Sequence, residues 1–283
     1  MRIASWGGGT VADKGVAPLL LAPLLLFLLI FFVVPLVQVG SLSVTEPKLG
    51  LGHYAAIFTE PYLHKVIANT LGTALLVTAL CVLLAYPLAY VMAQIGGTIG
   101  AVLLMLVAMS FWTSYLVRTY AWMVLLGNRG PVVAALKAMG WEPAPLLLFT
   151  RFSSTVALIH ILLPIMVMTL YAAMRKIDPN LMRAASGLGA TSFAAFRSVY
   201  LPLSAPGIVS GSTIVFVLCI GFYVTPVLIG SPREQMIAGV IGNRIEEFLA
   251  FGEASAIAMV LLAVTLLILG IYHRFFGLDR LWG

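Results

Sequence analysis

Trp112, Tyr115, Thr119 and Trp122 recur at i, i+3, i+7 and i+10 within residues 111–122, FWTSYLVRTYAW. On one helix they form an aromatic and polar stripe, whose ring faces could hold a flexible cation by cation–π attraction. For Trp112 and Tyr115 the stripe fits the lining of a passage and helix packing equally well, whereas Trp122 reads as part of an interfacial aromatic belt. Arg118, inside the stripe, tells against a bare cation cavity unless it pairs with an acid or reaches a headgroup. Further along, Tyr223, Thr225 and Pro226 fall together. The proline either kinks a helix and frees carbonyls as cation acceptors or marks the helix end. Four acids (Glu234, Glu246, Glu247 and Glu253) follow against Arg244, so their summed field would draw cations to a vestibule unless they only solvate a loop. His160 stands alone and reads as a packed side chain rather than a proton relay. The sequence has no HExxH pair and no G-x-S-x-G elbow, and no glycine directly precedes a lysine as a phosphate-binding loop requires. No side chain is assigned a catalytic, metal-binding or cofactor-binding role.

These residues must be positioned by membrane helices. The 283-residue chain is 61% hydrophobic and 9% charged, against about 25% charged in soluble domains. Its formal charge of +6 is therefore a topology signal in basic loops and no indication of nucleic-acid binding. Cys81 and Cys219 each lie in an apolar run and read as small buried hydrophobes. Charge-free intervals predict six spans at about 16–39, 66–94, 99–126, 154–174, 206–229 and 254–273, since about 20 apolar residues cross a bilayer. The uncharged interval from Lys65 to Arg118 is too long for one span, and Gln94 to Gly100 supplies its break. Gly207 and Gly211, four apart, permit close helix approach at the start of the fifth span. An even span count puts both termini, the 95–98 turn and the 175–205 loop on one side. Lys and Arg divide evenly between the sides, but the dense basic group Arg175, Lys176, Arg183 and Arg197 favours a cytoplasmic 175–205 loop.

That loop reads as a compact pair of helices. Asp178 is a good N-cap and Pro179 suits the first helical position. Gly187 and Gly189 favour a turn, and a second short helix is predicted over 191–200, with Leu201-Pro202 stopping it. Ala184, Ala185, Gly187 and Gly189 permit close approach to a partner, and Phe193 and Phe196 offer interface anchors.

Residues 183–202, RAASGLGATSFAAFRSVYLP, resemble the EAA loop of binding-protein-dependent ABC importer permeases. Ala184, Ala185, Gly189, Phe196, Val199, Leu201 and Pro202 fall at the motif's spacings, while Arg183 replaces its leading Glu. The 111–122 stretch and residues 221–230, GFYVTPVLIG, look like the spermidine/putrescine-type branch of those permeases. The resemblance implies an all-α integral membrane protein of the type I ABC importer permease fold, with six transmembrane helices and a cytoplasmic coupling-helix loop. It implies a permease domain over 16–276, flanked by cytoplasmic tails at 1–15 and 277–283, in a bacterial inner membrane. Implied partners are a second homologous permease subunit, two ATPase subunits that bind ATP and Mg, a periplasmic solute-binding protein and the lipid bilayer. The chain would not itself be an enzyme. Spermidine or putrescine is the implied solute, with another amine, an amino acid, or an iron or thiamine ligand also open. The alternative is a secondary transporter of a small cation or amino acid working without an ATPase. Such a protein should show an inverted repeat or broken midplane helices with buried ionisable groups. A purely structural membrane assembly factor would make no use of the helix pair.

Overall fold

The computed structural model describes residues 16–276. The tails expected over 1–15 and 277–283 lie outside the described residues. Among those described there is no strand. The chain begins with α1 (Val16–Leu28), a wide π turn (Leu29–Val33) and α2 (Val34–Thr45), which run on as one apolar rod. A short α3 (Gly52–Thr59) leads to the long α4 (Pro61–Ile95). Next come α5 (Gly97–Trp112), α6 (Tyr115–Leu126) and α7 (Pro131–Ala138), then α8 (Arg151–Met174). The polar pair is α9 (Pro179–Gly187) and α10 (Ser192–Ala195), joined by a π turn (Phe196–Tyr200) to α11 (Leu201–Ile220). Finally, α12 (Val224–Ile229), α13 (Ile237–Glu246) and α14 (Phe251–Phe276) close the chain.

Three helices make the core. Ala74, Val77, Cys81, Ala85 and Ala89 recur at helical spacing on α4 and meet Leu158, Leu162, Met166 and Leu170 of α8. Val215 and Cys219 bring in α11. In hydrocarbon, where lipid tails are as apolar as leucine, small residues drive such packing by letting backbones approach. Gly207 and Gly211 do this for α11: a Cβ on Gly207 would lie 2.5 Å from Cβ of Ala173, and one on Gly211 2.7 Å from Sδ of Met166. The paired glycines are thus occupied within the chain. Gly207→Leu is expected to lower the thermal midpoint of the purified permease, with overpacking costing about 1–3 kcal/mol. Gly187→Ala, whose Cβ would meet open space, should leave the midpoint unchanged.

Among the described residues, five helices are long and apolar enough to cross a membrane, or six if a bent pair counts as one span. That pair is where the chain differs most from the predicted spans. A single helix expected over 99–126 is two, bent by 87° between 97–112 and 115–138, with the break at Thr113-Ser114. The helix expected to start near 206 begins at Ser192 and runs to Ile220, and 224–229 is a separate short helix. Leu201-Pro202 therefore does not stop the second helix of the pair. The π turn before it, where the Leu201 N–H donates to the Phe196 carbonyl, makes room for a ring that would otherwise meet the carbonyl four residues back.

The two ends of the bundle separate cleanly. At one end, the Arg175 guanidinium lies against Gly96, whose φ of +57° closes the α4–α5 turn. This end carries α9 and α10. At the other, His53 bonds the Glu46 carbonyl at 2.8 Å, Tyr62 donates to Gln235 at 2.9 Å, and the Phe149 N–H donates to the Ile229 carbonyl at 3.1 Å. A satellite cluster of Ile57, Leu63, Val66, Ile237, Val240 and Ile257 packs α3, α4, α13 and α14 together there. The rod α1–α2 stands apart: none of its most apolar window is buried, and its main contact is α2 against α14.

Candidate functional site

The helix pair is built by local rules. Asp178 caps α9, its Oδ1 accepting from the Asn180 N–H at 2.9 Å. The far end closes as a Schellman turn: the Ala190 N–H donates to the Ala185 carbonyl at 3.1 Å and the Gly189 N–H to the Ser186 carbonyl at 3.0 Å. Gly189 sits at φ +88°, in the left-handed region that a side chain disfavours. Its contribution is the turn, since a Cβ there would touch nothing; Gly187 ends the helix and has open space beside it. Thr191 then caps α10 by accepting from the Ala194 N–H at 3.3 Å. Ala184 is exposed and Ala185 half-buried, while Leu201 and Pro202 are exposed on the helix that follows.

The two phenylalanines expected as paired anchors separate. Phe193 is 72% exposed, but Phe196 turns inward against Tyr86, Tyr90 and Tyr200, with ring centroids 5.6–6.1 Å apart. It ties the pair to α4. Leu188, which sequence reasoning misses, is 90% exposed at the turn. The only signal for it is a large apolar residue set between two glycines.

At the opposite end the aromatic stripe does not form, because the break at Thr113-Ser114 puts Trp112 on a different helix from Tyr115. Trp112 is 81% exposed; Tyr115 meets Phe222 edge-on at 6.1 Å. Arg118 is buried, at 7% exposure, and pairs with carbonyls rather than an acid. Its Nη2 donates to the Thr113 carbonyl at 2.9 Å, and its Nη1 faces the His160 and Ile161 carbonyls at 3.4 Å. Pro164 explains that choice, since it lacks the N–H that would bond the His160 carbonyl in an unbroken helix. One guanidinium therefore satisfies both the end of α5 and the gap in α8. Thr119 and Thr225 are fully buried and bonded to each other at 2.8 Å, joining α6 to α12. Trp122 donates from Nε1 to His160 Nδ1 at 3.1 Å, so it has a specific partner besides any belt position.

Of the four acids, Glu253 is paired with Arg244 at 3.0 Å, and Glu246 accepts from the Tyr223 hydroxyl at 3.3 Å. Glu247 is exposed and Glu234 half-buried. The Tyr223 ring lies so close to α13 that a Cβ on Gly242 would be 2.6 Å from it.

An all-helical chain with this many apolar spans and a capped polar helix pair at one end is a multi-pass membrane protein. The model of the binding-protein-dependent transport system inner membrane component matches residues 85–277, and the chain belongs to that family of ABC importer permeases. It is 33% identical over 228 residues to the spermidine/putrescine transport system permease protein PotB of Haemophilus influenzae, covering 78% of each chain. It is 32% identical over 261 residues to the inner membrane ABC transporter permease protein YdcU of Escherichia coli, covering 81% of this chain and 82% of that protein. Among solved structures, it superposes at a TM-score of 0.76 and 18% identity on a chain of a bacterial alginate ABC transporter in complex with its pentasaccharide-bound periplasmic protein. That superposition covers 92% of this chain and 93% of that one, and at such identity it speaks for the fold alone.

Proposed function

We propose that this permease subunit carries a polyamine of the spermidine/putrescine type across the bacterial inner membrane, coupled through residues 178–202 to a separate ATPase. The observation that carries the coupling is the helix pair itself. It is rigidly capped, holds Leu188 and Phe193 outward, and is tied by Phe196 to the core. The PotB relatives support the solute class. In this reading the pair and both termini face the cytoplasm, and two ATPase subunits hold ATP and Mg. A second permease subunit and lipid together cover the bare α1–α2 rod. A periplasmic binding protein delivers solute at the end that carries α12 and α13. ATP-driven approach of the ATPases moves the pairs together, and the two membrane states differ in free energy only by what nucleotide and solute contribute. Tyr115, Tyr223 and the acids Glu234, Glu246 and Glu247 face the solute's entry, while Arg118, Thr119 and Thr225 hold the walls.

The test is uptake of labelled spermidine into proteoliposomes holding the full complex and its binding protein. Accumulation should require ATP inside the ATPase-accessible compartment; uptake that persists with the ATPase deleted would instead indicate a secondary transporter. Glu246→Gln with Glu247→Gln is expected to raise the half-saturating concentration of spermidine-loaded binding protein roughly threefold to tenfold at low salt. The effect should fade by about 0.15 M salt, because summed surface charge is screened over about 8 Å there.

A further inference from the structure

Among the described residues, nothing balances the charge on the helix pair. Arg183 is exposed on α9, and its one hydrogen bond among the described residues is from Nη1 to Asn180 Oδ1 at 3.3 Å. A guanidinium has five N–H donors in a planar fork, so most of its capacity faces outward. Asp178 is the one acid between residues 175 and 205, and its carboxylate is already engaged with the N-terminus of α9. Arg175, Lys176 and Arg197 add further positive charge, and among the described residues the only ion pair joins Arg244 to Glu253, at the other end of the bundle. The apolar contacts offered by Leu188 and Phe193 lie on the same short unit. A partner that buries those side chains also desolvates Arg183, and a desolvated cation left unpaired weakens association strongly.

We infer that the groove receiving this pair carries a carboxylate opposite Arg183, held in a forked ion pair. The partner surface is therefore acidic where the EAA pattern, which opens with Glu, would call for a base. This inference rests on the ATPase-docking reading above and adds the chemistry of the contact. It makes the coupling interface selective, because an ATPase whose groove presents a base at this position is repelled by Arg183.

The test uses the full complex in native membranes, carrying Arg183→Lys in a Lys176→Arg background. A carbodiimide joins an amine directly to a carboxylate, so the amine introduced at position 183 should become linked to an Asp or Glu of the ATPase, identified by peptide mass spectrometry. In parallel, Ser192→Cys, exposed beside the anchor Phe193, labelled with a benzophenone maleimide reports docking without regard to charge; the native Cys81 and Cys219 are buried. Arg183→Glu should weaken retention of the ATPase by roughly 30-fold or more. A benzophenone crosslink without the carbodiimide crosslink would overturn the carboxylate and leave the docking reading standing. Loss of both crosslinks would overturn both. A carbodiimide product joining the introduced amine to phosphatidylserine would overturn the ATPase carboxylate in favour of a headgroup.

Discussion

Leu188→Asp combined with Phe193→Asp is expected to abolish ATP-driven uptake while leaving the permease in the membrane at its ordinary level. Both side chains are largely exposed in the chain, so neither contributes to its own core. Both project from a unit whose turn is fixed by Gly189 at φ +88° and whose base is pinned by Phe196 among Tyr86, Tyr90 and Tyr200. Buried apolar anchors at protein interfaces cost about 2 kcal/mol or more each when truncated, and a charge in their place costs further desolvation. One such loss lowers affinity by roughly 30-fold, and two should empty the site at cellular concentrations. Co-purification of the ATPase with tagged permease measures this, and retention of a stoichiometric ATPase would contradict it. Phe196→Ala should behave differently. Its ring packs against the core, so it should lower the thermal midpoint as well as the coupling.

Arg118→Met has the next largest effect, and it acts on the fold. The substitution leaves the Thr113 carbonyl without its donor and the His160 carbonyl without the one Pro164 denies it. A polar group left unpaired costs about 1–3 kcal/mol when buried, and these bonds are part-buried, so the loss should be roughly 2 kcal/mol in all. Arg118→Lys should recover only part, because a single ammonium does not span the separated carbonyls that the guanidinium fork reaches. A fall in thermal midpoint of the purified complex, larger for Met than for Lys, is the expected measurement. Equal stability of all three proteins, with a change confined to solute affinity, would return Arg118 to the pathway.

The contrast between these two sites shows what a sequence can and cannot disclose. The helix pair is legible because its determinants are local: an Asp-Pro start, a glycine at the left-handed position and a threonine cap lie within fourteen residues of one another. The long uncharged intervals mark the spans for the same reason. The break at Thr113-Ser114 carries no proline or glycine, and what sustains it is Arg118 bonding across to α8 some forty residues away. Likewise, nothing near Thr119 announces its partner Thr225, and Phe196 is turned inward by tyrosines on α4. Leu201-Pro202 obeys a local rule on paper, but a π turn absorbs the missing N–H and the helix continues. In the first three cases a long-range contact overrides a short-range preference; in the last, a local change of helix type does.

In the proposed function the 178–202 pair faces the cytoplasm and seats on an ATPase. A cysteine at Leu188 measures both at once, since the two native cysteines are buried and Leu188 is the most exposed large apolar residue of the turn. A membrane-impermeant maleimide should label it in inside-out vesicles stripped of the ATPase, be blocked when the ATPase is added back, and fail to label it in intact spheroplasts. Labelling in spheroplasts, or undiminished labelling in vesicles saturated with the ATPase, would contradict the account.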